Sequence, residues 1–346
     1  MSNQLPHTVD NEIVLEDLLS QPSEAALQSL RRTAGDVIVL GAGGKMGPSL
    51  TRMLRRAADQ VGTARRIIGV SRFSDDHVRQ TLEQYGVNTI RCDLLSDEPL
   101  TSLPEVPNVI LMTGYKFGTS SNPSMTWATN VFLTAEVCRR YRRSRIVVFS
   151  SGNLYAMMTP ASGGSLESDT PQPAGEYAMT TLGRERMTEH FSRRLGMPAA
   201  LIRLNYAVEL RYGVLLDLAR QVYHERPIDL TMGHVNVIWQ ADANAMAIAA
   251  LADASSPPYV LNVAGPEMLN IKDICQRFGK HFNKKVQFVG YEGEVAFLNN
   301  GSRGHAAYGR PRVAADRLVD WTAVWLAGGG PTFDKPTHFE VPDGKF

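Results

Sequence analysis

Short apolar segments alternate with helical stretches along residues 36–204 and set the strongest limit on the fold of this chain. The segments are Asp36–Leu40, Arg66–Val70, Thr89–Cys92, Asn108–Met112, Arg145–Ser150 and Pro198–Leu204. They show no regular exchange of apolar and polar residues, so both faces of each predicted strand are apolar. Such strands need cover on both sides, which a parallel sheet with helices on each face provides. The pattern therefore predicts an α/β fold built on a doubly wound parallel sheet.

The turn after the first strand has the sequence GAGGKMG and leads directly into a helix. Gly41, Gly44 and Gly47 recur in it at three-residue spacing. Bare backbone lets a pyrophosphate approach closely, and a helix N-terminus presents free N–H groups and a positive dipole end. The context favours a Rossmann dinucleotide site that also includes Lys45 and Met46. A glycine turn that only packs the helix on the sheet is the alternative.

The residues after the second and third strands bear on which dinucleotide binds. A site for NAD places an acid after the second strand, where it accepts hydrogen bonds from the adenosine ribose. Here Ser71 and Arg72 stand at that point, and a guanidinium pairs well with a 2′-phosphate. We therefore predict NADP as the cofactor and keep NAD as the alternative, because two aspartates follow closely. Asp93 and Leu94, after the third strand, are placed to reach the adenine edge.

The rest of the chain divides around this dinucleotide-binding unit. Residues 11–33 have the leucine spacing of one or two helices ahead of the first strand. Beyond residue 205 the alternation loosens, although Tyr259–Val263 is a further strand. We predict an N-terminal helical extension over 1–35, a dinucleotide-binding domain over 36–204 to which 234–263 return, and a smaller C-terminal substrate domain with a tail over 205–233 and 264–346.

Composition excludes several classes of function. The chain has 36 basic and 35 acidic residues and a formal net charge of +1, which provides no field for gathering nucleic acid or an anionic membrane. Its 8 histidines and 3 cysteines lack the spacing of metal ligands or of a disulfide framework, so we expect no metal. No run reaches the ~18 apolar residues of a membrane helix, and the acidic N-terminal segment is unlike a signal peptide. We therefore expect a soluble cytoplasmic protein that takes a small-molecule substrate.

Two motifs follow the glycine turn, namely FSSGNLY at 149–155 and then Tyr177. In this order they resemble the extended short-chain dehydrogenase/reductase family, which includes NAD(P)-dependent epimerases and dehydratases. The resemblance covers roughly residues 36–330. It implies that Ser151 and Tyr177 carry proton transfer and that Asn205 touches the substrate.

The resemblance and the positions of residues at strand ends extend the set of candidates. Cofactor candidates after the fourth strand are Thr113, Gly114 and Asn130, and further candidates for substrate contact are Asn153, Tyr155 and His234. A packing role for Tyr155 and a solvated turn for His234 are the alternative interpretations. The helices that such proteins commonly pair into a homodimer correspond to residues 123–141 and 175–195.

The chain departs from this family four residues after Tyr177. Thr181 replaces the lysine that in the family holds the nicotinamide ribose and lowers the pKa of the tyrosine. Lys116 lies in the sequence LMTGYKFG, similar to a loop in the progesterone 5β-reductase/iridoid synthase branch, and we expect it to supply the missing charge. An exposed loop lysine is the alternative. Arg184, seven residues after Tyr177, is a second candidate, although its segment GRER favours ion pairs.

These features predict an NAD(P)-dependent oxidoreductase or epimerase that acts on a hydroxyl or keto carbon of a polar, sugar-like substrate. Tyr177 is the expected proton donor and acceptor, and Ser151 is expected to orient the reacting oxygen. Residues 152–153 are Gly-Asn where the family's dehydratases carry an acidic pair, which disfavours dehydration. Two alternatives remain: a catalytically silent dinucleotide-binding regulator, as Thr181 favours, and an NADPH-dependent enone reductase, as Lys116 favours.

Overall fold

A parallel sheet forms the centre of the protein in the computed structural model, which describes residues 5–96 and 99–341. The strands are β1 (Val37–Leu40), β2 (Ile67–Ser71), β3 (Asn88–Arg91), β4 (Asn108–Leu111), β5 (Arg145–Ser151), β6 (Ala199–Leu204), β7 (Ala207–Val208), β8 (Ile228–Asp229), β9 (His234–Val235), β10 (Ile238–Trp239), β11 (Tyr259–Val263), β12 (Leu269–Asn270) and β13 (Phe288–Val289). Seven of them form the sheet in the order β11-β6-β5-β4-β1-β2-β3. The strand order reverses between β1 and β4, so the predicted doubly wound architecture is confirmed.

Helices cover both faces of the sheet. They are α1 (Glu12–Leu19), α2 (Glu24–Arg32), α3 (Gly47–Gln60), α4 (Asp76–Gln84), α5 (Pro99–Ser102), α6 (Pro123–Trp127), α7 (Leu133–Arg140), α8 (Gly175–Leu195), α9 (Val214–Tyr223), α10 (Gln240–Ala249), α11 (Ile271–Phe282), α12 (Ser302–Tyr308) and α13 (Ala315–Ala327). Within the described ranges, no helix combines the length and apolar character needed to cross a bilayer.

The residues of β1 show why its sequence lacks polar alternation. Val37 and Val39 join the apolar cluster that includes α3 and α10, whereas Ile38 and Leu40 join the cluster against α7 on the other face. All four side chains are fully buried. Burying a side chain of this size stabilises the fold by roughly 1.5–3 kcal/mol, so both faces of the strand favour apolar residues.

Both ends of the described chain pack against this core. α1 and α2 confirm the predicted N-terminal helices, and Leu15, Leu19 and Leu30 are fully buried. The C-terminal tail returns to α9, where the hydroxyl of Thr337 donates a hydrogen bond to Asp217 Oδ2 at 2.6 Å. The two terminal segments are therefore parts of the folded body.

The helix predicted over 123–141 is interrupted in the structure. A π-helical turn at Ala128–Phe132 separates α6 from α7. The carbonyl oxygen of Asn130 accepts hydrogen bonds from Thr134 Oγ1 at 2.8 Å and from Arg184 Nε at 3.2 Å. Partners of this kind stabilise a wider turn, and π turns inside helices are frequent at functional sites.

Candidate active site

The carboxyl ends of β1, β2, β3 and β4 open into a cleft of about 520 Å³. It lies where the strand order reverses, which is the position at which ligands bind in open parallel sheets. The predicted cofactor residues that line it are Gly41, Gly44, Ser71, Arg72, Asp93, Leu94, Thr113 and Gly114. Residues from four separate loops therefore meet in one cleft.

The glycine turn presents bare backbone to this cleft. Gly41 has a φ of +99°, in the left-handed region that favours glycine. A Cβ at Gly43 would lie 2.7 Å from Ser71 Oγ, and one at Gly47 would lie 2.5 Å from the carbonyl oxygen of Ala42. No side chain caps the first turn of α3. The turn therefore fits a pyrophosphate bound at the N-terminus of α3.

Thr113 provides a second sign that a ligand fits this cleft. Its Oγ1 is buried and has no hydrogen-bond partner among the described residues. A buried hydroxyl without a partner costs about 1–3 kcal/mol. Because Thr113 lines the cleft after β4, a polar group of a dinucleotide fits beside it.

The end of the cleft beyond β2 is rich in arginine. Arg72 is exposed there, and Arg79 and Arg91 line the same depression. Asp75 caps the N-terminus of α4, and Asp76 accepts hydrogen bonds from Arg79 Nε at 2.9 Å and from Arg91 at 2.5 Å. The hydrogen bond from Arg79 holds the pKa of Asp76 below its usual range. Sequence analysis missed Arg79 and Arg91, because the packing of α4 on β3 and the pairing of β3 with β2 bring them there.

A second cavity, of about 170 Å³, adjoins the glycine turn through Lys45 and Met46. Ser151 at the end of β5, Tyr177 in the first turn of α8 and Lys116 in the loop after β4 all line it. Lys116 Nζ lies 5.8 Å from the centre of the Tyr177 ring. The structure thus brings the three predicted catalytic side chains to one cavity, which we call the reaction cavity.

Ser151 is held by a short local turn. Its Oγ donates to Asn153 Oδ1 at 3.3 Å and accepts from the backbone N–H of Asn153 at 3.2 Å. Both residues are buried and line the reaction cavity. The turn therefore fixes the serine hydroxyl where a substrate oxygen can reach it.

The charge beside Tyr177 does not come from the residue four positions later. Thr181 is buried, and its Oγ1 donates to the carbonyl oxygen of Tyr177 at 2.8 Å. Lys116 is half-buried, and burial lowers its pKa to about 8 although the charge of Asp217 opposes this shift. At neutral pH Lys116 is therefore mainly protonated.

Arg184 is a second cation close to Tyr177. Its guanidinium is buried and donates to the carbonyl oxygens of Thr113 and Phe149, both at 2.7 Å, and to Asn130 Oδ1 at 2.9 Å. Burial lowers its pKa to about 10, and Tyr177 acts in the opposite direction. Sequence analysis identified the position of Arg184 but not this network.

The ion pairs expected of the GRER segment involve its other members. Glu185 forms a buried pair with Arg203 at 2.8 Å, and Arg186 pairs with Glu189 at 2.9 Å. For Arg184 the expectation of an ion pair is wrong. Its side chain turns inward from α8, where backbone carbonyl groups surround it.

A family profile described as the NAD dependent epimerase/dehydratase family matches residues 37–231, which is more than half of the chain. This chain belongs to that family. It is therefore an enzyme of the epimerase and dehydratase kind, and the family depends on a nicotinamide dinucleotide. Among curated proteins, no sequence matches significantly.

Solved structures of similar fold include members of the same class of enzyme. A UDP-glucuronic acid 4-epimerase variant from Bacillus cereus, in complex with NAD, has a TM-score of 0.72 and 16% identity over 84% of this chain and 99% of that one. The UDP-glucose 4-epimerase of Thermus thermophilus, also with NAD, has a TM-score of 0.69 and 16% identity over 85% and 99%. A dTDP-glucose 4,6-dehydratase from Bacillus anthracis has a TM-score of 0.71 and 12% identity over 85% and 97%. At these identities the matches show the fold alone.

Asn130 lies behind the cofactor cleft of this family member and not on its wall. It is 1% exposed, and its amide donates to the Tyr115 carbonyl oxygen at 3.0 Å and to Thr180 Oγ1 at 2.9 Å. Its Oδ1 accepts from the Tyr115 N–H at 2.9 Å. Asn130 therefore holds the backbone of the loop after β4 in place.

Tyr155 lies in the core and not on the reaction cavity. It is 2% exposed, and its hydroxyl donates to Asn262 Oδ1 at 2.9 Å and accepts from Arg203. Burial raises the pKa of Tyr155 to about 12. Tyr155 therefore packs in the core, which was the alternative to the expected contact with the substrate.

Asn205 and His234 are absent from the lining of the reaction cavity. Asn205 is fully buried and donates to Asn236 Oδ1 at 2.7 Å, whereas its neighbour Tyr206 lines the cavity. His234 lies on β9 with Nε2 3.3 Å from Asn270 Nδ2. The two side chains join buried or local hydrogen-bond networks instead.

Sequence analysis missed several residues that line the reaction cavity. Tyr206, just before β7, has a φ of +36°, an uncommon conformation for a bulky residue, and Tyr212 lies in the loop after β7. Thr337 comes from the C-terminal tail. No sequence signal places that tail here. In the described part of the chain, no group of three His, Cys, Asp or Glu side chains is placed to hold a metal ion.

Proposed function

We propose that this enzyme transfers a hydride reversibly between a nicotinamide dinucleotide and a hydroxyl or keto carbon of a polar, sugar-like substrate, as an oxidoreductase or epimerase. The observation that carries the proposal is the meeting of Ser151, Tyr177 and Lys116 in one cavity beside the dinucleotide cleft. Solved structures of similar fold include a UDP-glucuronic acid 4-epimerase with that sugar nucleotide and NAD, which supports a sugar-like substrate.

The chemistry divides among the three side chains. A bound dinucleotide supplies the hydride acceptor or donor. Tyr177 takes the proton from a substrate hydroxyl and returns it to a keto oxygen, while Ser151 Oγ donates a hydrogen bond to that same oxygen. The Lys116 ammonium group stabilises the tyrosinate, and its half-buried position strengthens this effect because water screens the charge less.

Dehydration by a pair of carboxylates does not fit this site. A Cβ at Gly152 would lie 2.5 Å from Asn299 Oδ1, so a longer acidic side chain there meets a buried neighbour. The next residue, Asn153, carries no charge and is bonded to Ser151. These contacts favour oxidation, reduction or epimerisation over dehydration.

For the cofactor we propose NADP over NAD. Arg72, Arg79 and Arg91 surround the end of the cleft that receives the adenosine ribose. Asp76 engages Arg79 and Arg91, so we assign the 2′-phosphate to the exposed Arg72. A guanidinium binds phosphate oxygens through charge-assisted hydrogen bonds.

The variant Arg72→Ala tests this assignment in fluorescence titrations with NADPH and NADH. Hydrogen bonds to charged groups contribute about 1.5–3 kcal/mol, so NADPH affinity falls by roughly 10–100-fold. NADH affinity changes by less than about twofold, since NADH lacks the 2′-phosphate. Arg226→Ala, at an exposed arginine remote from the cleft lining, is the control. An equal effect on both dinucleotides contradicts the preference for NADP, and a wild-type protein that binds neither contradicts the proposed function.

Turnover assays then separate this function from its alternatives. NADPH consumption with keto sugars supports the oxidoreductase, and conversion of a sugar into its epimer without net consumption of the dinucleotide supports the epimerase; either activity disappears in Tyr177→Phe. Consumption with enones alone favours the enone reductase. Tight dinucleotide binding without turnover of either class favours a regulatory protein.

We also propose that the enzyme is a homodimer of the cytoplasm. The helices expected to pair carry exposed apolar side chains, namely Met125, Trp127 and Phe132 on the α6–α7 stretch and Met179 on α8. Exposed apolar clusters of this kind commonly mark protein interfaces. All three cysteines are free thiols, which is typical of a reducing compartment.

A further inference from the structure

Lys45 belongs to the glycine turn, but its side chain leaves the dinucleotide cleft. Its Nζ donates to the carbonyl oxygen of Ala207 at 3.2 Å and stands 3.9 Å from the centre of the Tyr212 ring. It lines the reaction cavity together with Ser151 and Tyr177 and is absent from the lining of the cleft. A residue first expected at the cofactor thus lies on the side where the substrate reacts.

No carboxylate of the described residues contacts the Lys45 ammonium group. Glu209 is the acid whose charge acts on it, yet Glu209 Oε2 accepts from the Arg211 backbone N–H at 2.9 Å and from Arg211 Nε at 3.2 Å. The groups that Lys45 Nζ touches in the described part of the chain are a carbonyl oxygen and an aromatic face. A half-buried cation of this kind binds an anion more strongly than an exposed one does, because less solvent is displaced and screening is weaker.

A second ammonium group faces the same space. Lys116 lines the reaction cavity, and its charge acts on Lys45 across it. Burial lowers the pKa of Lys45 to about 7; the charge of Glu209 opposes this shift, and those of Lys116 and Arg211 add to it. Two neighbouring cations in a small cavity create a positive field, which an anionic ligand relieves.

We infer that Lys45 binds an anionic group of the substrate, a carboxylate or a phosphate, next to the carbon that reacts. The substrate class is then an acidic sugar and not a neutral one. This inference rests on the proposed function for the identity of the reaction cavity. The cofactor's own phosphates are a poorer match, since the lining of the dinucleotide cleft does not include Lys45.

Three ligands with the same ring test the inference: glucose, glucuronate and glucose 6-phosphate, which differ at carbon 6. Calorimetric titrations compare wild type, Lys45→Met and the control Lys285→Met, which alters an exposed lysine. Wild type and the control bind at least one acid roughly tenfold more tightly than glucose, and Lys45→Met loses this preference. The acid also drives proton uptake near pH 7 in wild type, seen as a dependence of the heat on the buffer, and Lys45→Met loses that uptake.

The variant Lys45→Arg provides the second measurement. Arginine keeps its charge at high pH, so its preference for the acid persists above pH 8, where that of wild type declines. Equal binding of acid and glucose, binding of none of the three, or a preference unchanged in Lys45→Met overturns the inference. Titrations with and without NADPH separate this inference from the proposed function. Absence of dinucleotide binding contradicts the proposed function. The role of Lys45 is judged only by the binding of the acids relative to glucose.

Discussion

Proton transfer at Tyr177 depends on where positive charge lies around it. Thr181 contributes a hydrogen bond to the backbone of α8 and no charge. Lys116 contributes a charge from the loop after β4, and Arg184 contributes another from beneath the cavity. In the proposed reaction, the positive charge that a tyrosine base requires therefore comes from a different part of the chain.

The pH dependence of turnover tests the role of Lys116. Its pKa of about 8 means that the ammonium form prevails below pH 8 and is lost above it, so turnover falls as pH rises through that value. Among the described residues, the charges of Asp217 and Lys45 and the rings of Phe117 and Tyr177 face it. We expect Lys116→Met to lower kcat by roughly 100-fold, close to the effect of Tyr177→Phe. In Lys116→Arg the alkaline decline moves to higher pH, and NADPH affinity stays within about threefold of wild type.

A Lys116→Met enzyme with the turnover and pH profile of wild type would contradict this assignment. The measurement is the steady-state rate between pH 6 and about 10, where a lysine of this kind titrates. The free energy of unfolding of each variant is the control, because a loss of turnover that parallels a loss of stability reflects folding and not charge.

Single residues also show how far sequence reasoning reached. The expected motif residues Ser151 and Tyr177 meet Lys116 in the structure, because strand ends and a helix start fix their positions. Tyr155 and Asn205 turn inward, and this follows from packing against Asn262 and Asn236. Such contacts join residues far apart in the chain, so local sequence does not reveal them.

At the scale of elements, the hydrogen bonds of the buried Arg184 side chain, which we call the latch, connect three parts of the site. Arg184 on α8 binds the carbonyl oxygen and side chain of Asn130 in the π turn. It also binds the carbonyl oxygens of Thr113 after β4 and Phe149 in β5. The latch therefore positions the loop that carries Lys116 relative to the helix that carries Tyr177.

The variant Arg184→Met tests this latch. It leaves three buried carbonyl oxygens and one amide oxygen short of donors, so the free energy of unfolding drops by about 3 kcal/mol or more. Urea denaturation followed by circular dichroism measures the change. Arg186→Met, at an exposed position two residues along the helix, alters the free energy by about 0.5 kcal/mol or less. Equal losses for the two variants would show that Arg184 does not hold these elements together.

Elements differ in how well the sequence predicts them. The strands of the sheet start and end within one or two residues of their predicted bounds, because fully apolar segments leave few alternatives. The interruption at Ala128–Phe132 was not predicted, since it depends on Arg184, about fifty residues further along. The hydrophobic periodicity of a segment describes that segment alone, whereas the π turn also depends on its contacts with Arg184.

At the scale of the whole molecule, the C-terminal tail lines the reaction cavity, and α1 contacts the loop beside it. Arg211, in the loop after β7, pairs with Glu16 of α1 at 2.7 Å and lies 4.8 Å from the ring of Phe333 in the tail. Thr337 of the same tail lines the cavity. The wall of the cavity thus includes a segment far along the chain from the predicted catalytic residues, which is why sequence analysis brought those residues forward but not Thr337.

The proposed homodimer is the last feature of this scale that can be tested. Phe132 on the π turn is 59% exposed, and Trp127 is 44% exposed. The side chains of Trp127 and Val131 lie next to Gly183 of α8. Phe132→Asp replaces an apolar contact by a charge, and a two-fold dimer places that change at the interface twice. Burial of a phenylalanine contributes about 1.5–3 kcal/mol, so the dimer dissociation constant rises by at least about 100-fold. Sedimentation velocity shows a monomer for Phe132→Asp and a dimer for the control Tyr291→Asp, at a residue that is 95% exposed elsewhere. A Phe132→Asp protein that still sediments as a dimer would exclude this face as the interface.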